Sequence, residues 1–182
     1  MDSFPAIEID KVKAWDFRLA NINTSECLNV AYGVDANYLD GVGVSITSIV
    51  LNNRHINLDF YIIADVYNDG FFQKIAKLAE QNQLRITLYR INTDKLQCLP
   101  CTQVWSRAMY FRLFAFQLLG LTLDRLLYLD ADVVCKGDIS QLLHLGLNGA
   151  VAAVVKDVEP MQEKAVSRLS DPELLGQYFN SG

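Results

Sequence analysis

The chain has 182 residues, 51% of them apolar and 20% charged, and 16 basic against 21 acidic side chains leave a formal charge of −5. That is one domain's length, able to bury roughly two thirds of its unfolded surface, and the composition excludes global disorder or a collagen-like chain. Net acidity without a clustered basic patch excludes a nucleic-acid footprint, and two histidines are too few for a histidine-rich metal site.

Residues 1–26 are mixed and interrupted by polar stretches, and read as an N-terminal arm carrying one short strand; residues 27–182 read as the domain proper. Met1-Asp2-Ser3-Phe4-Pro5 lacks the basic start and apolar core of a secretory signal. No apolar run reaches the 18 residues of a membrane-spanning helix. The first regular signal is Cys27–Gly33, a short apolar strand ending at glycine, followed by a polar loop, Val34–Tyr38. A helix follows with Val42, Ile46, Ile49 and Val50 on one face and Ser45 and Ser48 on others.

Leu58–Ala64 is the next strand, ending at Asp65, and Asp69–Gln81 the next helix, with Phe71, Ile75, Leu78 and Ala79 facing one way. Leu84–Ile91 alternates residue by residue, which predicts a strand with one partly wet face near a sheet edge. Ser106–Leu119 has no polar face, with Arg107 and Arg112 its only charges, the pattern of an interior helix, and Gly120 ends it. Arg125–Leu129 runs apolar into Asp130-Ala131-Asp132, as a central parallel strand does. Asp138 caps a short helix holding Leu142 and Leu143, and Ala150–Val155 predicts another buried strand. Tyr178-Phe179-Asn180-Ser181-Gly182 reads as the opening of a further buried element, so the chain is expected to be part of a longer protein. Strands alternating with helices predict a mostly parallel α/β sheet covered on both faces.

Ligands bind such sheets at the carboxyl ends of the strands. Asp35, Asp65, Asp157 and the pair Asp130 and Asp132 fall there. Two carboxylates at i and i+2 do not both stay charged cheaply without a cation. Hard oxygen ligands favour Mg²⁺ or Mn²⁺ with phosphates completing the shell. Arg107 and Arg112 in so apolar a helix require partners, either a structural carboxylate such as Asp130 or a ligand phosphate. No G-x-G-x-x-G or P-loop occurs: Gly33 is isolated, and Gly41-Val42-Gly43 lacks the third glycine. His55 and His144 read as surface residues, and Tyr32 and Tyr38 as either base-stacking or core aromatics. Cys27, Cys98, Cys101 and Cys135 contain one C-x-x-C, too little for zinc, and fit a reducing cytoplasm.

Five pieces in order resemble the retaining glycosyltransferases of family 8, above all bacterial lipopolysaccharide core glucosyl- and galactosyltransferases. They are Asn29–Tyr38, Phe60–Asp65, Ser106–Leu113, Arg125–Val133 and Tyr178–Gly182. The resemblance implies a GT-A nucleotide-sugar fold, with Asp130 and Asp132 holding Mn²⁺ or Mg²⁺ on the diphosphate of UDP-glucose or UDP-galactose. It implies a nucleotide pocket from Ala31, Tyr32, Gly33, Asp35 and Asn37, with Asp35 beside the base, and Ala131 between the metal-holding carboxylates. It places Arg112 on the donor phosphate or sugar, and Asp157 and Asn180 at the donor sugar. The family's third metal ligand is a histidine beyond residue 182, matched by neither His55 nor His144. The implied acceptor is a lipopolysaccharide core oligosaccharide at the cytoplasmic face of the inner membrane, reached peripherally through the part beyond residue 182. With that half missing, this chain alone is expected to be inactive, and a non-catalytic nucleotide-binding module is the alternative. A nucleotidyltransferase of similar fold is disfavoured, because no glycine-rich, lysine-containing loop lies near Gly33.

Overall fold

The computed structural model describes residues 7–18, 26–102, 106–170, 172–174 and 176–180. The chain divides into two compact units, Met1–His144 and Leu145–Gly182.

In the first unit one sheet has the order β1-β4-β3-β2-β5. Its strands are β1 (Ile9–Asp16), β2 (Cys27–Val34), β3 (Asn57–Ala64), β4 (Arg85–Ile91) and β5 (Leu127–Tyr128). The last four are parallel neighbours and β1 is antiparallel to β4. Period-two alternation sorts the side chains into two layers. Val30, Tyr32, Phe60, Ile62, Ile86 and Leu88 pack with the buried stripes of α1 (Leu39–Asn52) and α2 (Asp69–Asn82). Ala31, Tyr61, Ile63 and Ile91 pack with Phe111, Phe114, Ala115 and Leu119 of α3 (Phe111–Leu119). Burial on both faces is why β2 and β3 are apolar nearly throughout. The α/β sheet with helices on both faces is therefore as the alternation predicts.

Several expectations need correcting. The N-terminal arm is not an appendage, since β1 supplies eight residues of the sheet's edge. Its cover makes β4 the second strand from the edge and leaves Thr87 only 4% exposed. A register shift between Lys11 and Lys13 marks the outer strand, and a bulge flanked by lysines discourages further strand addition. Ser45 lies on the buried face of α1, not away from it, because its hydroxyl meets that of Tyr32 at 3.0 Å. The Arg125–Leu129 run yields only the two residues of β5, at the sheet's edge among the described residues rather than its centre. Residues 107–119 form a 3-10 turn and then α3, and the helix is not interior: Met109, Leu113 and Phe116 are exposed.

The second unit carries α4 (Glu159–Leu169). The Ala150–Val155 run is neither a strand nor buried, with Val151, Val154 and Val155 exposed. An apolar run states a preference for cover, not the existence of a partner. Lys156 and Phe179 form a single antiparallel bridge, with Asp157 N donating to Tyr178 O and Asn180 N to Val155 O. The buried amide of Gln162 fastens it, donating to the Asp157 and Tyr178 carbonyls and accepting from Tyr178 N. Of the expected closing element only Tyr178–Asn180 are described. They make this bridge rather than a buried strand, and Phe179 is exposed; Ser181 and Gly182 lie outside the described residues.

At the amino end of the parallel strands Asp59, its side chain 3% exposed, takes Arg85 Nη2 at 2.5 Å and Arg18 Nη1 at 3.2 and 3.3 Å. Arg18 also bonds Asp16 at the end of β1, so this cluster joins the edge strand to the centre of the sheet. Removing the carboxylate leaves two cations without their shared partner. Asp59→Ala is expected to lower the unfolding free energy by about 3–5 kcal/mol, read from the urea midpoint and slope.

Candidate functional site

The strand ends bring the acidic residues to one rim. Val34 pairs with Ala64 in the β2–β3 register, so Asp35 and Asp65 leave the sheet side by side. On the other flank of β2, Ala31 pairs with Tyr128 and Leu129 N donates to Ala31 O at 3.0 Å, which delivers Asp130 to the same rim. Asp35 caps the 3-10 turn Ala36–Tyr38 by accepting from Asn37 N at 2.9 Å.

Asp130 and Arg112 form the centre of the site. Arg112 Nη2 donates to Asp130 Oδ1 at 3.2 Å and Arg112 Nε to Met109 O at 3.0 Å. Asp130 is thus engaged as one of the two partners open to this arginine from sequence. Both side chains are partly covered, 18% and 28% exposed. Burial pushes the Asp130 carboxyl above its ordinary range; Arg112 opposes that, and the nearby charge of Asp132 adds to it. The two acids of the Asp-x-Asp motif thus sense each other, with Asp132 exposed and Ala131 buried between them. Ala131 packs toward α1, where a Cβ on Gly41 would lie 3.0 Å from its carbonyl oxygen. The extended terminus expected for the motif is instead a turn: β5 ends at Tyr128, residues 131–132 turn, and Val133 N donates to Asp130 O at 3.2 Å.

Tyr128 connects this centre to β2. Its ring lies under the Arg112 guanidinium, 5.1 Å from centroid to Cζ, and its hydroxyl accepts from Gly33 N at 3.1 Å. Burial raises the phenol to about 12, so it stays protonated at neutral pH. A Cβ on Gly33 would lie 2.7 Å from both that hydroxyl and Phe111 Cβ. Neither the hydroxyl's role nor this close approach is evident from sequence, where Tyr128 is one more residue of an apolar run.

Other candidates fall differently. Ala31 and Tyr32 are fully buried, Ala31 in the α3 layer and Tyr32 in the α1–α2 layer. Tyr32 is thus core and not a stacking platform, and of the two loop tyrosines Tyr38 is exposed. Asp157 and Asn180 belong to the second unit, where Asn180 Nδ2 donates to Asp157 Oδ1 at 3.4 Å. Arg107 is structural, donating to the Leu96 and Gln97 carbonyls. His55 is exposed beside Asp138, 3.4 Å away, and His144 is exposed at the end of a 3-10 turn. All four cysteines are free.

Among the described residues no three His, Cys, Asp or Glu side chains group into a cation cage. Two rim carboxylates nonetheless suit Mg²⁺ or Mn²⁺, which are held through one or two carboxylates plus substrate phosphates rather than by an all-protein cage. Arg112 engages Asp130 through Oδ1, leaving Oδ2 for a further ligand. Among the described residues no helix is long and apolar enough to cross a membrane.

Residues 29–182 match the family model for glycosyl transferase family 8. The chain is 40% identical over 176 residues to a lipopolysaccharide 1,2-glucosyltransferase of Escherichia coli, covering 97% of this chain and 50% of that protein. It is 38% identical over 170 residues to a lipopolysaccharide 1,3-galactosyltransferase of Salmonella typhimurium, covering 92% and 50%. Among solved structures, the galactosyltransferase LgtC with donor and acceptor sugar analogues superposes with TM-score 0.72 at 20% identity, over 85% of this chain and 56% of that one. The bifunctional glycosyltransferase WbbM gives 0.67 at 21%, over 91% and 32%. The fold is thus the nucleotide-sugar transferase α/β fold of these enzymes, and the chain spans about half the length of the sequence relatives it matches.

Two outcomes follow from the rim's geometry. Gly33→Ala forces Phe111 away from β2 and is expected to cost about 1–3 kcal/mol, the usual range for overpacking, measured by urea denaturation. Asp65 has a buried Oδ1 without a hydrogen-bond partner. Burial, and then the charge of Asp35, raise its folded-state pKa above the unfolded value, against bonds from its own and Val66's backbone. A raised folded pKa means that ionised Asp65 opposes folding at neutral pH, and the penalty fades as pH falls through that pKa. Asp65→Asn is expected to raise the urea midpoint at pH 7, with the gain shrinking on acidification.

Proposed function

The chain belongs to glycosyl transferase family 8, and from that premise we propose that it is the donor-binding portion of an enzyme moving glucose or galactose from a UDP-sugar to a lipopolysaccharide core acceptor, with retention at the anomeric carbon. The supporting observation is the partly covered Arg112–Asp130 pair at the carboxyl rim, with the exposed carboxylate of Asp132 beside it in the motif. Asp130 and Asp132 hold Mn²⁺ or Mg²⁺ in this reading, and the bound ion supplies neutralisation of the charge on the diphosphate.

The chemical difficulty is the departure of a charged diphosphate from the sugar's anomeric carbon. Arg112, fixed by Met109 O and Asp130, presents a preorganised cation that stabilises charge appearing on the leaving oxygen. As that bond breaks and the acceptor oxygen bonds the same face of the carbon, the acceptor's proton passes to the departing phosphate. Asp35 and Asn37 take the uridine end, and Asp157 and Asn180 the donor sugar. Acceptor recognition and a third metal ligand belong to the whole protein, which works at the cytoplasmic face of the inner membrane.

Calorimetric titration of this chain with UDP, with and without Mn²⁺, tests the reading. Metal-dependent affinity that disappears in Asp130→Asn and Asp132→Asn is expected. In the whole enzyme either substitution is expected to lower the transfer rate by about 10²–10³-fold, the scale of losing one stabiliser of developing charge. UDP affinity indifferent to metal would favour a nucleotide-binding module, and transfer at near-normal rates in either variant would overturn the metal assignment.

A further inference from the structure

We infer that Tyr128 is a positioning residue for Arg112: its ring sets the plane of the guanidinium, while its hydroxyl ties the end of β2 to the same side chain. The inference rests on the reading of Arg112 as a donor-facing cation only for its functional consequence; the geometry stands on its own. Arg112 is held from three directions, by Met109 O through Nε, by Asp130 Oδ1 through Nη2, and by the Tyr128 face below. Its remaining terminal nitrogen, Nη1, is buried and has no partner. These three contacts fix the plane of the guanidinium and leave both Nη1 hydrogens uncommitted.

The ring in turn is fixed at both ends. Its edge meets Phe116, centroids 5.7 Å apart at 61°. Its hydroxyl stands where the ladder between β2 and β5 breaks off. The bond from Leu129 N to Ala31 O is the last regular one, and a parallel ladder would next pair Gly33 N with the Leu129 carbonyl. Gly33 N instead donates to the Tyr128 hydroxyl. The side chain thus takes over a backbone acceptor's place as the two strands separate, and the missing Cβ of Gly33 gives it room. One residue therefore ties the end of β2, which leads to Asp35, to the cation beside Asp130.

Volume and orientation are separable by substitution. Tyr128→Phe keeps the face over which Arg112 lies and loses only the hydroxyl; Tyr128→Leu keeps an apolar side chain and loses the face. The test is the side-chain NMR signal of Arg112 in the 182-residue chain, assigned by its loss in Arg112→Lys. The ring is expected to shift the Arg112 Hδ protons upfield and the Nε–H to exchange slowly. Tyr128→Phe is expected to keep the upfield shift, and Tyr128→Leu to abolish it and speed Nε–H exchange about tenfold, the scale of an ordinary cation–π contact. Unchanged Arg112 signals in Tyr128→Leu would overturn the inference, as would loss of the shift in Tyr128→Phe. Should Tyr128→Leu not fold, Tyr128→Met carries the same two outcomes. In the UDP titration Tyr128→Leu is expected to weaken binding in the wild-type background and to add nothing to Arg112→Lys; additive losses would overturn the role. A wild-type chain that shows the upfield Arg112 signal but no UDP affinity overturns the nucleotide-sugar reading and leaves the positioning of Arg112 supported.

Discussion

The ion pair between Arg112 and Asp130 is the contact to which the rest of the rim is referred. β5 contributes only two residues to the sheet and reaches β2 through a short ladder, so hydrogen bonding alone gives it little hold. The pair ties the end of that strand to the first turn of α3, and α3 is anchored by Phe111, Phe114 and Leu119 in the layer over β2 and β3. A carboxylate at the end of an apolar strand would otherwise be half-buried and unpaired, which is costly. Here its partner comes from the same packing that covers the sheet.

The opposite end of the strands offers a contrast. Asp59 is almost wholly covered and shared by two arginines, one from β4 and one following β1, and it binds an edge strand to the centre. Asp130 is more open and has a single arginine. Both ends use the same pair of residue types, and they differ in exposure: one is a covered fastening, the other a pair partly open at the rim. Composition cannot make that distinction, because an Asp at a strand terminus looks the same in either setting.

Much of the fold was legible for a plain reason. Burial on both faces prints nearly unbroken apolar strings at β2 and β3, and one-sided burial prints the stripe Phe71, Ile75, Ala79 on α2. The rim acids were legible because a string of apolar residues that ends in Asp must emerge somewhere wet. What stayed hidden depended on partners distant in sequence. Nothing in residues 9–16 says that they close against β4, and nothing in Ser45 says that a tyrosine hydroxyl thirteen residues earlier will satisfy it in the core. The strings at 106–119 and 150–155 misled in the same way, since their apolar character does not specify what covers them. Tyr128 was invisible because its phenol oxygen, the part that matters, is a small fraction of a large apolar side chain.

Ala131 illustrates how one backbone segment serves two masters. It is buried against α1, its carbonyl close over Gly41, between a partly covered Asp130 and an exposed Asp132. The middle letter of the motif is therefore dictated by helix packing and not by whatever the flanking acids bind. A larger side chain at position 131 meets a helix that is already pared to glycine at position 41, whereas Val133 and Val134 just beyond are exposed and have room for other side chains.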